Sequence, residues 1–262
     1  MSDTSVLITG ATGAIGGALA RRYAAAGTRL ILHGRRQEAL EALAERCRRR
    51  GARVTTSRID LADPEALARW LEDEVCAVAV PDIVIACAGQ NAHPATPGAL
   101  EPAADAQAVL ALNLAVPVAM AQHLVPHMRA RGSGQLAFVS SLAAWYGLPT
   151  TPTYSASKAG IKAYGEGLRG WLAPFGIGVS VVMPGYVSSP MCQAMPGPKP
   201  GEWPPERAAR VIQRGIRANR ARIAFPFWLG WGTRWLGLLP AGLSQRLLKV
   251  LGYQRLPSAD DE

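Results

Sequence analysis

The sequence predicts an α/β fold, a doubly wound parallel sheet with helices on both faces, followed by an apolar and basic helical extension at the C-terminus. Three observations carry that prediction. Across the first two hundred residues, short β-branched runs alternate with longer stretches whose apolar residues recur every three or four positions, the pattern of parallel strands joined by crossover helices. Runs such as Val6-Leu7-Ile8 and Ile83-Val84-Ile85 are apolar at every position, as strands covered by helices on both sides require. The first of these runs turns abruptly into helical period through a glycine-rich stretch, Gly10 to Gly16.

Taken in order, strands are expected near residues 5–9, 29–33, 53–58, 82–87, 135–140 and 177–183, with helices near 14–26, 36–50, 64–74, 103–130 and 153–173. Proline and glycine then crowd residues 184–205, a stretch too aperiodic for a core element, and a functional loop or lid is expected there. An arginine-rich helical run follows at 205–220 and a short strand at 222–225. At 262 residues and 49% hydrophobic content, one large domain is expected, residues 1–225 with a substrate loop at 186–205. Residues 226–262 read as an extension of it, not an independent domain.

The N-terminus lacks a basic region followed by a long apolar run, so a cytoplasmic location is expected. The cysteines, Cys47, Cys76, Cys87 and Cys192, have no C-x-x-C spacing and read as reduced structural thiols. His123 and His127 share a helix face, but no acid lies between them and Pro126 disturbs the turn, so no metal site is expected.

Small residues where a strand becomes a helix suit a pyrophosphate. Glycine lets the backbone approach the phosphates, and the first N–H groups of the helix point at the anion. At the end of the second strand, His33-Gly34-Arg35-Arg36 lacks the acid that would accept a ribose 2′-hydroxyl. Two arginines there favour a 2′-phosphate, hence NADP(H) over NAD(H). Asp60-Leu61, after the third strand, supplies a hydrogen-bonding edge for adenine.

Tyr154 and Lys158 lie four residues apart in a helical stretch, so phenol and ammonium share one face. A cation beside a phenol favours phenolate and suits it to general acid or base work. Ser141 closes an apolar strand thirteen residues earlier. With these pieces the chain resembles the short-chain dehydrogenase/reductase family, which is of Rossmann type. The matching residues are Thr9-Gly10-x3-Ala14-Ile15-Gly16, Asp60-Leu61, Ala88-Gly89, Asn113, Ser141, Tyr154, Lys158 and Pro184-Gly185-x-Val187-x-Ser189, covering about residues 5–190. The resemblance implies that Tyr154 exchanges a proton with the substrate oxygen and Ser141 orients that oxygen. It implies that Lys158 binds the nicotinamide ribose and lowers the tyrosine pKa, and that Asn113 holds a water linking Lys158 to solvent. Gly10, Thr12, Gly13, Ala14, Ile15 and Gly16 would cradle the cofactor, with Pro184, Gly185, Val187 and Ser189 on its nicotinamide side. The chain departs from the family pattern at Ala14, where glycine is usual, and at Ala86-Cys87, where two asparagines are usual.

The net charge of +9 is a C-terminal property. Residues 203–256 carry ten basic side chains and one acid, Glu206. Four of the seven tryptophans, Trp203, Trp228, Trp231 and Trp235, fall in the same segment among leucines. Peripheral membrane contact, a cap over the cleft and a subunit interface all fit that composition. No nucleic-acid motif accompanies the charge, so no nucleic-acid partner is expected. The leading expectation is an NADPH-dependent oxidoreductase interconverting a ketone or aldehyde and an alcohol on a lipophilic substrate, assembled as a homodimer or homotetramer. The alternative is a catalytically silent NADP(H)-binding module acting in sensing or membrane docking.

Overall fold

Seven strands, β1 (Thr4–Ile8), β2 (Thr28–His33), β3 (Arg53–Ser57), β4 (Ile83–Ala86), β5 (Gly134–Val139), β6 (Ile177–Pro184) and β7 (Arg222–Phe225), form one all-parallel sheet. The spatial order is β3-β2-β1-β4-β5-β6-β7. The computed structural model describes residues 4–96 and 98–253. Because every second side chain of a strand faces the same way, Val6 and Ile8 pack with Leu30, Leu32 and Ile223 on one face while Leu7, Ile31, Val84 and Leu136 pack on the other. These strands are apolar throughout because both faces are core.

Helices α1 (Ala14–Tyr23), α2 (Gln37–Arg48) and, later in the chain, residues 205–217 cover the first face through Leu19, Leu40, Leu43, Ile212 and Ile216. Helix α3 (Pro64–Arg69) runs into a widened π-type turn, Trp70–Cys76, on the opposite face. The helix expected at 103–130 is one rod with a widened turn inside it: α4 (Ala103–Leu110), the π-type turn Ala111–Ala115 and α5 (Val116–Arg131). Helix α6 (Pro152–Leu172) starts on Pro152, whose missing N–H is no loss in a first turn, and Glu101 accepts the Thr153 N–H (3.2 Å). The start of the helix that carries Tyr154 is thereby fixed.

Within the stretch expected to be a loop lies a five-residue helix, α7 (Pro190–Ala194), because Ser189 accepts the Cys192 N–H (3.0 Å) as its N-cap. The rest of that loop is tied down by a strand-like bridge from Val187 to Trp203 and by the Ser188 hydroxyl donating to Glu202 (2.6 Å). Then follow α8 (Pro205–Arg217), the edge strand β7, α9 (Phe227–Leu236) and α10 (Ala241–Val250). The sheet reverses its winding between β1 and β4, and a doubly wound sheet opens its crevice at that switch, beyond the C-terminal ends of the strands.

Candidate active site

The turn after β1 is built for close backbone approach. Gly10 has φ of +66°, and a Cβ there would lie 2.7 Å from the Ala88 Cα. A Cβ at Gly16 would lie 2.3 Å from the Gly10 carbonyl oxygen, which itself accepts the Gly13 N–H (2.9 Å). Both glycines are therefore required by contact. The Thr9 hydroxyl oxygen accepts the N–H groups of Cys87 (3.1 Å) and Ala88 (3.2 Å), so the turn is pinned to the end of β4 although the usual asparagines are absent. Ala14 occupies the first position of α1 with no loss of helix. Gly16→Ala is expected to displace the turn, lowering the thermal midpoint and weakening ADP binding at least about tenfold. Calorimetric titration checks this, and unchanged binding would show that the turn does not contact the diphosphate.

At the far end of the crevice, Arg35 and Arg36 are exposed on the rim. Arg36 donates to the Thr12 carbonyl, joining the end of β2 to the glycine turn, whereas Arg35 has no hydrogen-bond or ion-pair partner among the described residues. His33 below them is buried, its Nε2–H donates to the Ile59 carbonyl (2.9 Å), and burial holds its pKa below the usual value. Asp60 accepts the Ala62 N–H (2.9 Å) in a side-chain turn that presents Leu61 and Ala62 to the cavity.

On the opposite wall, α6 carries Tyr154 and Lys158 toward Ser141, which follows β5. The Ser141 hydroxyl caps the turn after β5 by accepting the Ala143 N–H (3.1 Å) and stands beside the phenol. Tyr154 is half-buried on the cavity wall, and desolvation there holds its pKa above the ordinary value while the neighbouring Ser141 hydroxyl works against that rise. The resemblance implies a phenol lowered by Lys158; here burial governs it and the neutral phenol is favoured. Lys158 is buried, donates to the Val139 carbonyl (2.9 Å), and stands 5.6 Å from the centre of the Tyr154 ring. Burial lowers its pKa from 10.5 to about 8.

Asn113, in the π-type turn, is buried and does not line the cavity. Its side-chain oxygen accepts the Gln90 N–H (2.9 Å), and its amide donates to the Gln90 carbonyl (2.9 Å) and the Ser157 hydroxyl (3.0 Å). Both amide hydrogens are thus committed to clamping the strand end beyond β4 onto α6. A side chain at Gly89 would come within 3.0 Å of the Asn113 oxygen and 3.4 Å of the Lys158 Nζ, so glycine leaves open the space between them.

These walls enclose one cavity of about 1050 Å³. Gly10, Thr12 to Gly16, Arg35, Arg36, Asp60, Leu61, Ala88, Gly89, Ser141, Tyr154, Lys158, Pro184, Gly185, Val187 and Ser189 all border it. Of the residues expected at a site, only Asn113 stands behind the wall. Over the same residues the sequence matches the short chain dehydrogenase family, from 4 to 198. The chain belongs to the short-chain dehydrogenase/reductase family.

Among its relatives, an uncharacterized oxidoreductase of Myxococcus xanthus is 30% identical over 240 residues, 92% of this chain and 94% of that protein. An 11-beta-hydroxysteroid dehydrogenase 1A of Arabidopsis thaliana is 28% identical, covering 92% of this chain and 77% of its own. A short-chain dehydrogenase from Sphingobium yanoikuyae, solved in complex with NADPH, superposes with a TM-score of 0.76 at 26% identity over 99% of both chains.

In this short-chain dehydrogenase/reductase the roof of the cavity comes from outside the stretch that carried the resemblance. Leu229, Gly232, Thr233 and Leu236 of α9 and Leu248 of α10 close it, so of the roles left open for the C-terminal segment the structure places a cap. Tyr186 and Tyr253, at the end of that cap, both border the cavity, and burial raises the Tyr186 pKa well above its usual value. Tyr186 was not among the expected site residues; it stands in the Pro-Gly stretch, where no periodicity marks it.

Proposed function

We propose that this oxidoreductase is an NADPH-dependent carbonyl reductase for a lipophilic ketone or aldehyde. The observation that carries the reading is that Tyr154, Ser141 and Lys158 line one wall of a cavity whose other end is the glycine turn and the arginine pair. The turn fits a dinucleotide because side chains at Gly10 and Gly16 would fill the cradle. NADPH bound there supplies the hydride to the carbonyl carbon.

The chain's own residues do the rest. Ser141 donates to the carbonyl oxygen and holds it beside the phenol. Tyr154 gives that oxygen its proton, completing the alcohol, and the phenolate left behind faces the Lys158 ammonium, which stabilises it until it is reprotonated through the space beside Gly89 and Asn113. Val187 and Ser189 fix the backbone after Pro184 and Gly185, on the nicotinamide side. The mostly apolar roof from the loop at 186–205 and the C-terminal helices suits an apolar substrate, and the Arabidopsis relative is named for a steroid. A cytoplasmic enzyme working as a homodimer or homotetramer belongs to the same reading.

Titration with NADPH and NADH, followed by oxidation of bound NADPH against ketones of graded chain length, tests it. Turnover rising along the apolar series is expected; cofactor binding with no turnover of any ketone would favour the silent module. The two arginines separate cleanly. Arg35→Ala is expected to weaken NADPH about ten- to a hundredfold and leave NADH unchanged, since one charge-assisted bond contributes about 1.5–3 kcal/mol. Arg36→Ala is expected to weaken both cofactors, because Arg36 also holds the Thr12 carbonyl. Equal loss of both cofactors in the Arg35 variant would count against a 2′-phosphate site.

A further inference from the structure

We propose that the outer face of α9 and α10 docks on an anionic bilayer surface, and that the cavity receives its carbonyl substrate from that surface. For the substrate it delivers, this rests on the carbonyl-reductase reading; the docking itself does not.

Each helix has two faces. The inner face of α9, Leu229, Gly232, Thr233 and Leu236, roofs the cavity, while Trp228, Trp231 and Trp235, spaced three and four residues apart, face solvent. Trp235 is 57% exposed and the neighbouring Phe227 76%. In α10, Ser244 and Leu248 are buried, while Leu243, Leu247, Val250 and the following Leu251 are outside, Val250 at 83% exposure. So many large apolar side chains on one segment mark a contact surface.

Two observations choose the occupant. The segment from Phe227 to Tyr253 carries Arg234, Arg246 and Lys249 and no carboxylate. A second copy meeting this face about a two-fold axis would set the cations of Phe227–Tyr253 against themselves, with no acid in that segment to answer them. An anionic lipid surface complements them, and tryptophan with Lys and Arg is the side-chain set of the membrane interface. Trp228, Leu247 and Leu251, moreover, are exposed and also border the cavity, so the apolar face and the cavity share a rim. A lipid-partitioned ketone would enter across that rim without crossing water.

The test uses the full chain with vesicles of phosphatidylcholine alone and of phosphatidylcholine mixed with phosphatidylglycerol. Flotation is expected with the mixed vesicles and to weaken with salt. Trp231→Glu/Trp235→Glu and Arg246→Glu/Lys249→Glu replace residues that do not line the cavity, and each pair is expected to weaken vesicle binding about tenfold or more. Both variants should reduce a water-soluble ketone at the wild-type rate and lose turnover of a long-chain ketone presented in vesicles. Failure of the wild type to bind mixed vesicles, or equal binding by the variants, would overturn the proposal. So would dissociation of a dimer by Trp231→Glu/Trp235→Glu, measured by sedimentation, without vesicle binding in the wild type. Absence of NADPH oxidation with every ketone would instead remove the reductase reading, while flotation would still report on the face.

Discussion

Tyr154→Phe is expected to lower the turnover of a reducible ketone by about 10²–10⁴-fold while NADPH affinity stays within about twofold, the range expected for losing a general acid. The substitution removes one oxygen and keeps the ring, so α6, the Lys158 position and the cavity wall are preserved. Burial holds the phenol above its ordinary pKa. It is therefore protonated through neutral pH, as a donor to a carbonyl oxygen must be, and reductive turnover should be flat up to about pH 8, then fall as Lys158 loses its proton and, at higher pH, as the phenol ionises. Ser141→Ala removes the hydroxyl that works against burial, so the part of the alkaline fall that belongs to the phenol should move to higher pH. Steady-state NADPH oxidation at saturating cofactor, with binding followed separately by fluorescence, checks both. A kcat within a few-fold of wild type for Tyr154→Phe would show that the proton comes from elsewhere.

The part of the molecule that was legible in the sequence is the part whose physics is local. The central strands β1 and β4 stood out because they are apolar on both faces, and the turn from Gly10 to Gly16 because its contacts tolerate no side chain at its ends. The short strand Arg222–Phe225 was readable despite its length, since it separates two stretches of helical period. The contacts that the sequence did not show depend on neighbours distant in it. Asn113 clamps the backbone of Gln90, 23 residues away, and nothing in Leu-Asn-Leu announces it. The Tyr154 pKa is set by the walls around it, while the four-residue spacing to Lys158 suggests only the attraction between them. The C-terminal segment was ambiguous because a cap, an interface and a membrane face all require apolar surface. Only the fold shows that its two faces do different things.

Lys158→Met should produce an effect whose sign depends on pH. Burial lowers the lysine from 10.5 to about 8, so below about pH 8 the folded protein carries a buried ammonium that the unfolded chain keeps solvated. Between those two values the folded state binds fewer protons than the unfolded state, and stability rises with pH across the window. A shift of that size corresponds to about 3 kcal/mol of penalty at neutral pH. Methionine removes the penalty but leaves the Val139 carbonyl without its donor at 2.9 Å, a loss of about 1–3 kcal/mol. The cofactor-free variant is thus expected to be more stable than wild type by about 1 kcal/mol at neutral pH and less stable once the pH exceeds about 10.5, where lysine is neutral in both states. Urea unfolding of both proteins across that range locates the crossing. Turnover of the same variant should fall about a hundredfold or more below about pH 8, where the wild type holds a cation against the phenolate, and the difference should narrow above it. A variant less stable than wild type at all pH values would mean that Lys158 carries no burial penalty. The ammonium beside Tyr154 would then be held by solvation that the closed wall does not provide.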